Sequence, residues 1–122
     1  MVRARSTPAP RAEAPPAQHN VEPIPGLDAL AAAVMTLRSA DEVQRFLRDL
    51  CTLPELEALT HRWQTACLLD EGVPYVEIAD RVPTSTATVT RVAQWLRHGT
   101  GGYRVALDRI KRLDGVKQKA RR

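Results

Sequence analysis

The 122-residue sequence has few of the residues that build large cores, cross-links or membrane spans. It contains one Phe, two Trp and two Tyr, so its core must be made mainly of Leu, Val and Ala. The two cysteines, Cys51 and Cys67, show neither metal-ligand spacing nor a CxxC pair, which indicates buried free thiols in a reducing compartment. The most apolar run, 27–37, is too short to cross a bilayer, and the Arg- and Pro-containing start has no hydrophobic signal core. We therefore expect a cytoplasmic protein that is not associated with a membrane.

The sequence also lacks the residue patterns of an enzyme or a metal protein. His19, His61 and His98 are widely separated, and the acidic residues fall at helix caps or on polar helix faces. The glycine-rich stretch 99–102 follows no predicted strand and has no Lys-Ser/Thr after it, so it is predicted to be a turn and not a phosphate-binding loop. We therefore predict no catalytic residue, no metal ligand and no cofactor.

Charge is distributed unevenly along the chain. Residues 97–122 contain nine basic and two acidic residues, whereas residues 26–96 contain six basic and ten acidic residues, a net charge of −4. The basic end has two interpretations: it contacts phosphates, or it is a solvated charged tail.

The length of the chain is sufficient for one modest domain. Residues 1–25 contain six of the nine prolines and few large apolar residues, which predicts a disordered tail. We expect the folded domain at 26–113 and a basic C-terminal tail at 114–122.

Apolar residues recur at helical spacing throughout this domain, and no strand pattern is present. Capping patterns begin at Ser39 and Thr52, each with Glu three residues later. Ser85 can cap the helix that follows Pro83, and Gly72 is placed to end a helix. The sequence therefore predicts an all-α protein with six helices over 27–37, 40–51, 53–71, 74–81, 85–98 and 103–113. The first and second helices each have an apolar stripe, made of Leu27, Leu30, Val34 and Leu37 and of Val43, Phe46, Leu47 and Leu50. From the last helix we expect Val105, Ala106, Leu107 and Ile110 to point inward.

The stretch 73–96 has the pattern of a helix-turn-helix. Apolar residues form one face before Pro83 and a second face after it, and Pro83 keeps Val82 out of the helical region so that the first helix must end there. The second helix is faced with short hydroxyl residues between Ser85 and Thr90, followed by Arg91, so a polar partner can approach it closely. An ordinary helical hairpin within a bundle is the alternative interpretation.

Four segments resemble the YerC/YecD branch of the Trp-repressor-like proteins: ELEALTHRW, LLDEGVPYVEIADRV, STATVTRV and LRHGTGGYR. The resemblance covers roughly Leu37–Ile110. It implies a six-helix Trp-repressor-like fold and an intertwined homodimer, whose two helix-turn-helix heads read successive major grooves of double-stranded DNA. The positions that it assigns to DNA contact or its support are Val76, Ala79, Ser85, Thr86, Ala87, Thr88, Thr90, Arg91 and Gln94.

The sequence departs from this family at two places. Pro83 stands where the turn usually has Gly, so we expect a different junction between the two helices. In the Trp repressor two arginines enclose the indole of the corepressor, and Arg62, Arg91 and Thr52 match residues of that pocket by position. Val92 and Trp95 replace a Gly and a Ser there, so we expect the slot to be filled and free L-tryptophan not to bind. We expect Arg62 to pair with a carboxylate and Arg91 to contact a phosphate.

These observations predict a sequence-specific DNA-binding repressor that acts as a homodimer. The short uncharged face of the second helix predicts modest or water-mediated base discrimination. Two alternatives use the same fold: an adaptor that holds another protein through the second helix or the tails, and a non-specific DNA-binding protein.

Overall fold

The computed structural model describes the backbone of residues 22–121 and the side chains of residues 22–116, and every regular element in this part of the chain is a helix. This confirms the predicted all-α fold with six helices. The predicted tail at 1–25 lies mostly outside the described residues. The helices are α1 (Leu27–Met35), α2 (Ala40–Leu50), α3 (Leu53–Asp70), α4 (Tyr75–Arg81), α5 (Thr86–His98) and α6 (Gly102–Arg121).

The helix starts follow the predicted capping residues. The Ser39 hydroxyl accepts a hydrogen bond from the Glu42 backbone N–H at 3.1 Å at the start of α2. At the start of α3 the cap is reciprocal: Thr52 N–H donates to Glu55 Oε1 at 2.8 Å, and Glu55 N–H donates to Thr52 Oγ1 at 3.3 Å. All three bonds satisfy N–H groups that the start of a helix leaves without partners. The backbone hydrogen bond from Thr52, followed by that of the Thr52 side chain, lowers the pKa of Glu55.

The last helix is longer than the sequence predicted. We expected it to end at Leu113 because Gly115 follows, but α6 continues to Arg121. One glycine inside a helix costs about 1 kcal/mol relative to alanine, and the Lys, Gln, Ala and Arg residues that follow favour the helix enough to offset it. Leu107 is buried in this helix as expected and Ala106 is half-buried, whereas Val105 and Ile110 are exposed, so the prediction that both point inward is wrong.

The chain divides into two compact units, and the boundary falls inside α3 between His61 and Arg62. In the first described unit, residues 22–61, neither α1 nor α2 contains a buried residue. The predicted apolar stripes are present but largely uncovered: Leu27 is 49% exposed, Leu30 38%, Val34 43% and Leu50 54%. The stripes are therefore formed as predicted, and the residues of this unit do not bury them.

The second unit, from Arg62 onward, contains the buried core. Ile78, Val82 and Val89 form its centre, and side chains from α3 and the following turn, including Leu68, Leu69 and Val73, pack against them. Ala66 and Leu107 are also buried. Both cysteines are free thiols but are half-buried rather than fully enclosed as predicted.

Candidate nucleic-acid interface

The predicted helix-turn-helix is formed by α4, a four-residue turn at 82–85 and α5. Ile78 of α4 and Val89 of α5 are completely buried against each other and against Val82 in the turn. The small side chain of Ala79 is half-buried beside this cluster. Apolar packing therefore holds the two helices together and leaves the opposite face of α5 open.

The turn accommodates Pro83 without a left-handed residue. Val82 is extended, with φ −111° and ψ 128°, as expected for a residue before proline. Ser85 is also extended, with φ −100° and ψ 160°, and its Oγ accepts the Thr88 backbone N–H at 3.1 Å. Val82 and Ser85, one extended residue on each side of Pro83–Thr84, thus change the chain direction. Ser85 caps α5 as predicted.

Most of the residues expected to contact DNA are exposed, and two are half-buried. Thr90 Oγ1 donates to the Thr86 carbonyl at 3.0 Å, so the Thr90 hydroxyl proton is used within the helix and its methyl group remains available. Ala79 and Thr88 are the half-buried members. The exposed members are Val76, Ser85, Thr86, Ala87, Thr90, Arg91 and Gln94. The face is consequently rich in methyl groups and poor in side chains that can make paired hydrogen bonds to a base.

The three residues matched to the tryptophan pocket differ in their local surroundings. Thr52 takes part in the cap of α3, and Arg62 and Arg91 are both exposed. Arg62 makes no ion pair among the described residues, so the expected carboxylate partner is not found. Its charge instead lies close enough to the Tyr103 phenol to favour ionisation, although burial dominates and raises the pKa of Tyr103.

The two residues expected to fill the pocket differ in burial. Val92 is buried, whereas Trp95 is 48% exposed. The indole of Trp95 packs over Gly99, where an added Cβ would collide with the Trp95 carbonyl and lie 2.8 Å from Trp95 Cε3. Trp95 therefore occupies the space that a side chain at Gly99 would need.

Three contacts that the sequence did not predict connect α3 to α6. The rings of Trp63 and Tyr103 stack with centroids 6.5 Å apart and planes inclined by 16°. At Asp70, the last residue of α3, Oδ1 lies 3.0 Å from Arg104 Nη2 and Oδ2 lies 2.6 Å from Lys111 Nζ. Lys111 and Arg104 are seven residues apart, two helical turns, so both reach one carboxylate. The seven-residue spacing of these two cations was the only signal of the Asp70 contacts in the sequence.

Asp70 is the most enclosed charge in these contacts, with its side chain 11% exposed. The contact with Lys111, followed by that with Arg104, lowers the pKa of Asp70 against the opposing effect of burial. The carboxylate is therefore ionised and ties two cations of α6 to the end of α3.

A cavity of about 330 Å³ lies on another side of this unit and contains none of the predicted contact residues. Its lining includes Trp63, Cys67 and Arg81, and burial raises the pKa of the Cys67 thiol, which disfavours the reactive thiolate. Among residues 22–116, no group of three His, Cys, Asp or Glu side chains is arranged to hold a metal ion. Over the same part of the chain, no helix has the length and hydropathy needed to cross a membrane.

Comparison with known proteins agrees with this geometry. The Trp repressor protein family matches residues 25–111. This chain belongs to that family. It is 39% identical over 88 residues to the protein named uncharacterized protein YerC from Bacillus subtilis, covering 72% of this chain and 85% of that protein.

Two solved structures also resemble this member of the Trp repressor family. A TrpR-like protein from Eubacterium eligens matches with a TM-score of 0.68 and 33% identity, covering 72% of this chain and 91% of that one. A structure from Staphylococcus aureus matches with a TM-score of 0.68 and 36% identity, covering 73% of this chain and 89% of that one. The family and the fold together indicate a helix-turn-helix DNA-binding regulator, which is a class of protein that is not enzymatic.

The Asp70 contacts predict a pH-dependent loss of stability. Asp70→Asn should lower the free energy of unfolding by about 1 kcal/mol near neutral pH, since both cations are partly exposed. The folded-state pKa of Asp70 lies below its ordinary value of 3.8, so this stabilisation is complete above about pH 4 and is lost as the pH falls through the folded-state pKa. Urea unfolding at several pH values should show the difference between wild type and variant shrinking below about pH 4.

Asp41→Asn is the matched control, because Asp41 pairs with Arg45 on an open surface where both side chains are more than two-thirds exposed. It should leave the midpoint of unfolding unchanged. A difference between wild type and Asp70→Asn that persists undiminished in acid would contradict the ion-pair explanation.

Proposed function

We propose that this protein is a sequence-specific DNA-binding repressor of transcription that acts as a homodimer and places α5 in the major groove. The observation that carries the proposal is the exposed face formed by Ser85, Thr86, Ala87 and Thr90, whose hydroxyl and methyl groups are fixed on a buried apolar junction. Membership of the Trp repressor family supports the same use of this face. Such a regulator works in the compartment that holds the DNA, as expected of a cytoplasmic protein.

The chemistry of α5 sets how it reads bases. The methyl groups of Thr86, Ala87 and Thr90 suit contact with the thymine methyl group, and the Thr86 hydroxyl can make a single hydrogen bond. Arg91, exposed one turn further along, is placed to contact a phosphate. No Asn or Arg precedes Arg91 on this helix, so paired hydrogen bonds to adenine or guanine are not expected from its first turns. Discrimination then depends on methyl contacts and bridging waters.

Thr88→Asp tests this face. The substitution should weaken binding to a selected DNA site by about a hundredfold or more, because a carboxylate would enter a groove bordered by phosphates. The fold should survive, since Thr88 lies in the first turn of α5, where the helix dipole favours an acidic residue. The measurement is fluorescence anisotropy with a duplex recovered by selection from random DNA, with circular dichroism to verify helix content.

Thr88→Asn is the matched control, because asparagine has the shape of aspartate without its charge. It should bind within about tenfold of wild type if charge near phosphates is the cause. Wild-type affinity in folded Thr88→Asp would show that this face does not meet DNA.

The exposed apolar stripe of α1 supports the homodimer. Leu27, Leu30 and Val34 lie on one side of a helix with no buried residue. The intertwined fold of the family implies a second copy as the partner. Pairing two chains would cover the stripe of each chain. With two-fold symmetry, the DNA site would be a pseudo-palindrome with half-sites about 34 Å apart.

Sedimentation of wild type should give twice the chain mass of 13.5 kDa. Leu30→Glu should shift the protein to monomer, because a carboxylate would be buried in the pairing surface. Met35→Glu is the control: Met35 belongs to the same helix but is 82% exposed and lies off the stripe. A monomeric wild type, or a dimeric Leu30→Glu variant, would refute this pairing surface.

We also propose that the protein acts without free L-tryptophan. Val92 is buried where the family has the smallest residue, and the indole of Trp95 projects one turn further along the same helix. We expect these two side chains to fill the slot that the family resemblance assigns to the corepressor indole beside Arg62 and Arg91. The protein would then bind DNA without a tryptophan corepressor.

Calorimetric titration should detect no binding of L-tryptophan in the micromolar range, and DNA affinity should be the same with and without it. Micromolar binding would contradict the filled slot. A tryptophan-dependent gain in DNA affinity would contradict it equally.

The acidic charge of residues 26–96 favours one alternative, a protein-binding adaptor on the same fold. Salt separates the two functions. Binding to DNA weakens steeply as salt rises because counterions are released, whereas binding through an apolar protein surface responds little.

A further inference from the structure

The exposed face of α5 at 85–91 is called the reading face below. The segment that contains it has a net negative charge, which repels DNA. Residues 26–96 have a net charge of −4, and the face at 85–91 contains one arginine, Arg91. Residues 97–122 have nine basic and two acidic residues, a net charge of +7. Since most of the affinity for a duplex comes from contacts between cations and phosphates, the attraction must come from outside the acidic segment.

Helix α6 extends these cations beyond the family domain. The family match ends at residue 111, and α6 continues for ten residues, about 15 Å at 1.5 Å per residue. The sequence after residue 111 has five basic residues and one acidic residue, Asp114. The basic residues are Arg112, Lys117, Lys119, Arg121 and Arg122.

The cations of α6 fall into two groups. Arg104 and Lys111 are bound to Asp70, and Arg104 also contacts Asp108, so these charges are largely neutralised within the protein. Arg109 and Arg112 are exposed and make no ion pair with any described residue. The neutralised cations attach the helix, and Arg109 and Arg112 are available to a partner. The sequence adds Lys117, Lys119 and Arg121 after them.

The first half of α6 belongs to the same compact unit as the helix-turn-helix formed by α4 and α5. Leu107 is buried, α6 contacts α5, and the Trp63–Tyr103 stack and the Asp70 ion pairs join α6 to α3. Because these contacts fix the start of α6, its basic end is carried on a helix rather than on a free chain. A helical arm restricts where the charges can reach and reduces the entropy lost when they bind.

We infer that the end of α6, residues 109–121, is a phosphate-binding arm that contacts the duplex backbone beside the site read by α5. The inference rests on the proposed DNA-binding function and adds to it the source of the electrostatic affinity. The arm strengthens binding equally on all sequences, because phosphates carry no base information. The competing explanation is that these cations only complement the negative end of the helix dipole.

The test compares two full-length triple variants with the same change in charge. The arm variant replaces Lys117, Lys119 and Arg121 with Gln. The control replaces Arg38, Arg45 and Arg48 with Gln. These arginines are exposed and are not part of the helix-turn-helix. Each variant lowers the formal net charge from +4 to +1 per chain (4 − 3 = 1). Glutamine has nearly the helix propensity of lysine and arginine, so helix content should be kept.

Affinity is measured by anisotropy on a random-sequence duplex and on the selected duplex over a range of salt concentrations. The arm variant should bind both duplexes at least about tenfold more weakly near physiological salt, with an unchanged ratio between them. Its slope of log affinity against log salt should be shallower by about 0.9 for each lost phosphate contact. The control variant should keep the wild-type slope. Circular dichroism and a Lys117→Arg, Lys119→Arg variant, which should bind like wild type, separate lost charge from lost helix.

The outcomes separate this inference from the proposed function. If wild type binds DNA and the arm variant matches it in affinity and slope, the arm is refuted and the function stands. Equal losses in the arm and control variants would also refute the arm, because total charge alone would explain them. Thr88→Asp, measured in the same series, tests the reading face: wild-type affinity in that variant refutes the proposed reading mode even if the arm variant loses affinity. If wild type binds no duplex, both proposals fail.

Discussion

Apolar contact among Ile78, Val82 and Val89 determines where the candidate interface lies. Burying side chains of this size contributes about 1.5–3 kcal/mol each, and these three join two short helices that are too short to be stable alone. Pro83 makes the junction more specific, because it forces Val82 into an extended conformation and so defines where α4 ends. Ser85 then begins α5. The exposed residues of α5 keep their positions through contacts made on the opposite side of the helix.

Helix starts were predictable because their signals are local. Ser39, Thr52 and Ser85 each cap the helix that the sequence assigns to them, and the capping bonds span three residues. Burial was less predictable, since a helical stripe such as that of α1 looks the same whether its own chain or another chain covers it. The Asp70–Arg104 contact was not predictable, because it joins residues 34 positions apart. The candidate interface came from family motifs matched by position, while the structure added the state of each hydroxyl and the burial of Val92.

Charge and shape are assigned to different parts of this molecule. The face on α5 is small, nearly uncharged and close to the backbone, which suits recognition at short range. The cations are concentrated after Leu96, and the carboxylate of Asp70 binds two of them so that α6 is held by charges as well as by Leu107. In this chain, which has few aromatic residues and a thin core, one partly enclosed carboxylate thus helps to attach a helix. In other proteins larger apolar side chains do this.

If α5 reads DNA as proposed, the hydrogen bond from Thr90 to the Thr86 carbonyl affects the response to methylated cytosine. It leaves the Thr90 methyl group as the outward feature of that side chain, next to the methyl group of Ala87. In the major groove, the methyl of thymine and the methyl of 5-methylcytosine project from the same ring position. A surface that recognises methyl groups more than hydrogen-bonding edges responds to both. For a regulator that uses this surface, methylation of a cytosine within a half-site would resemble a change of sequence.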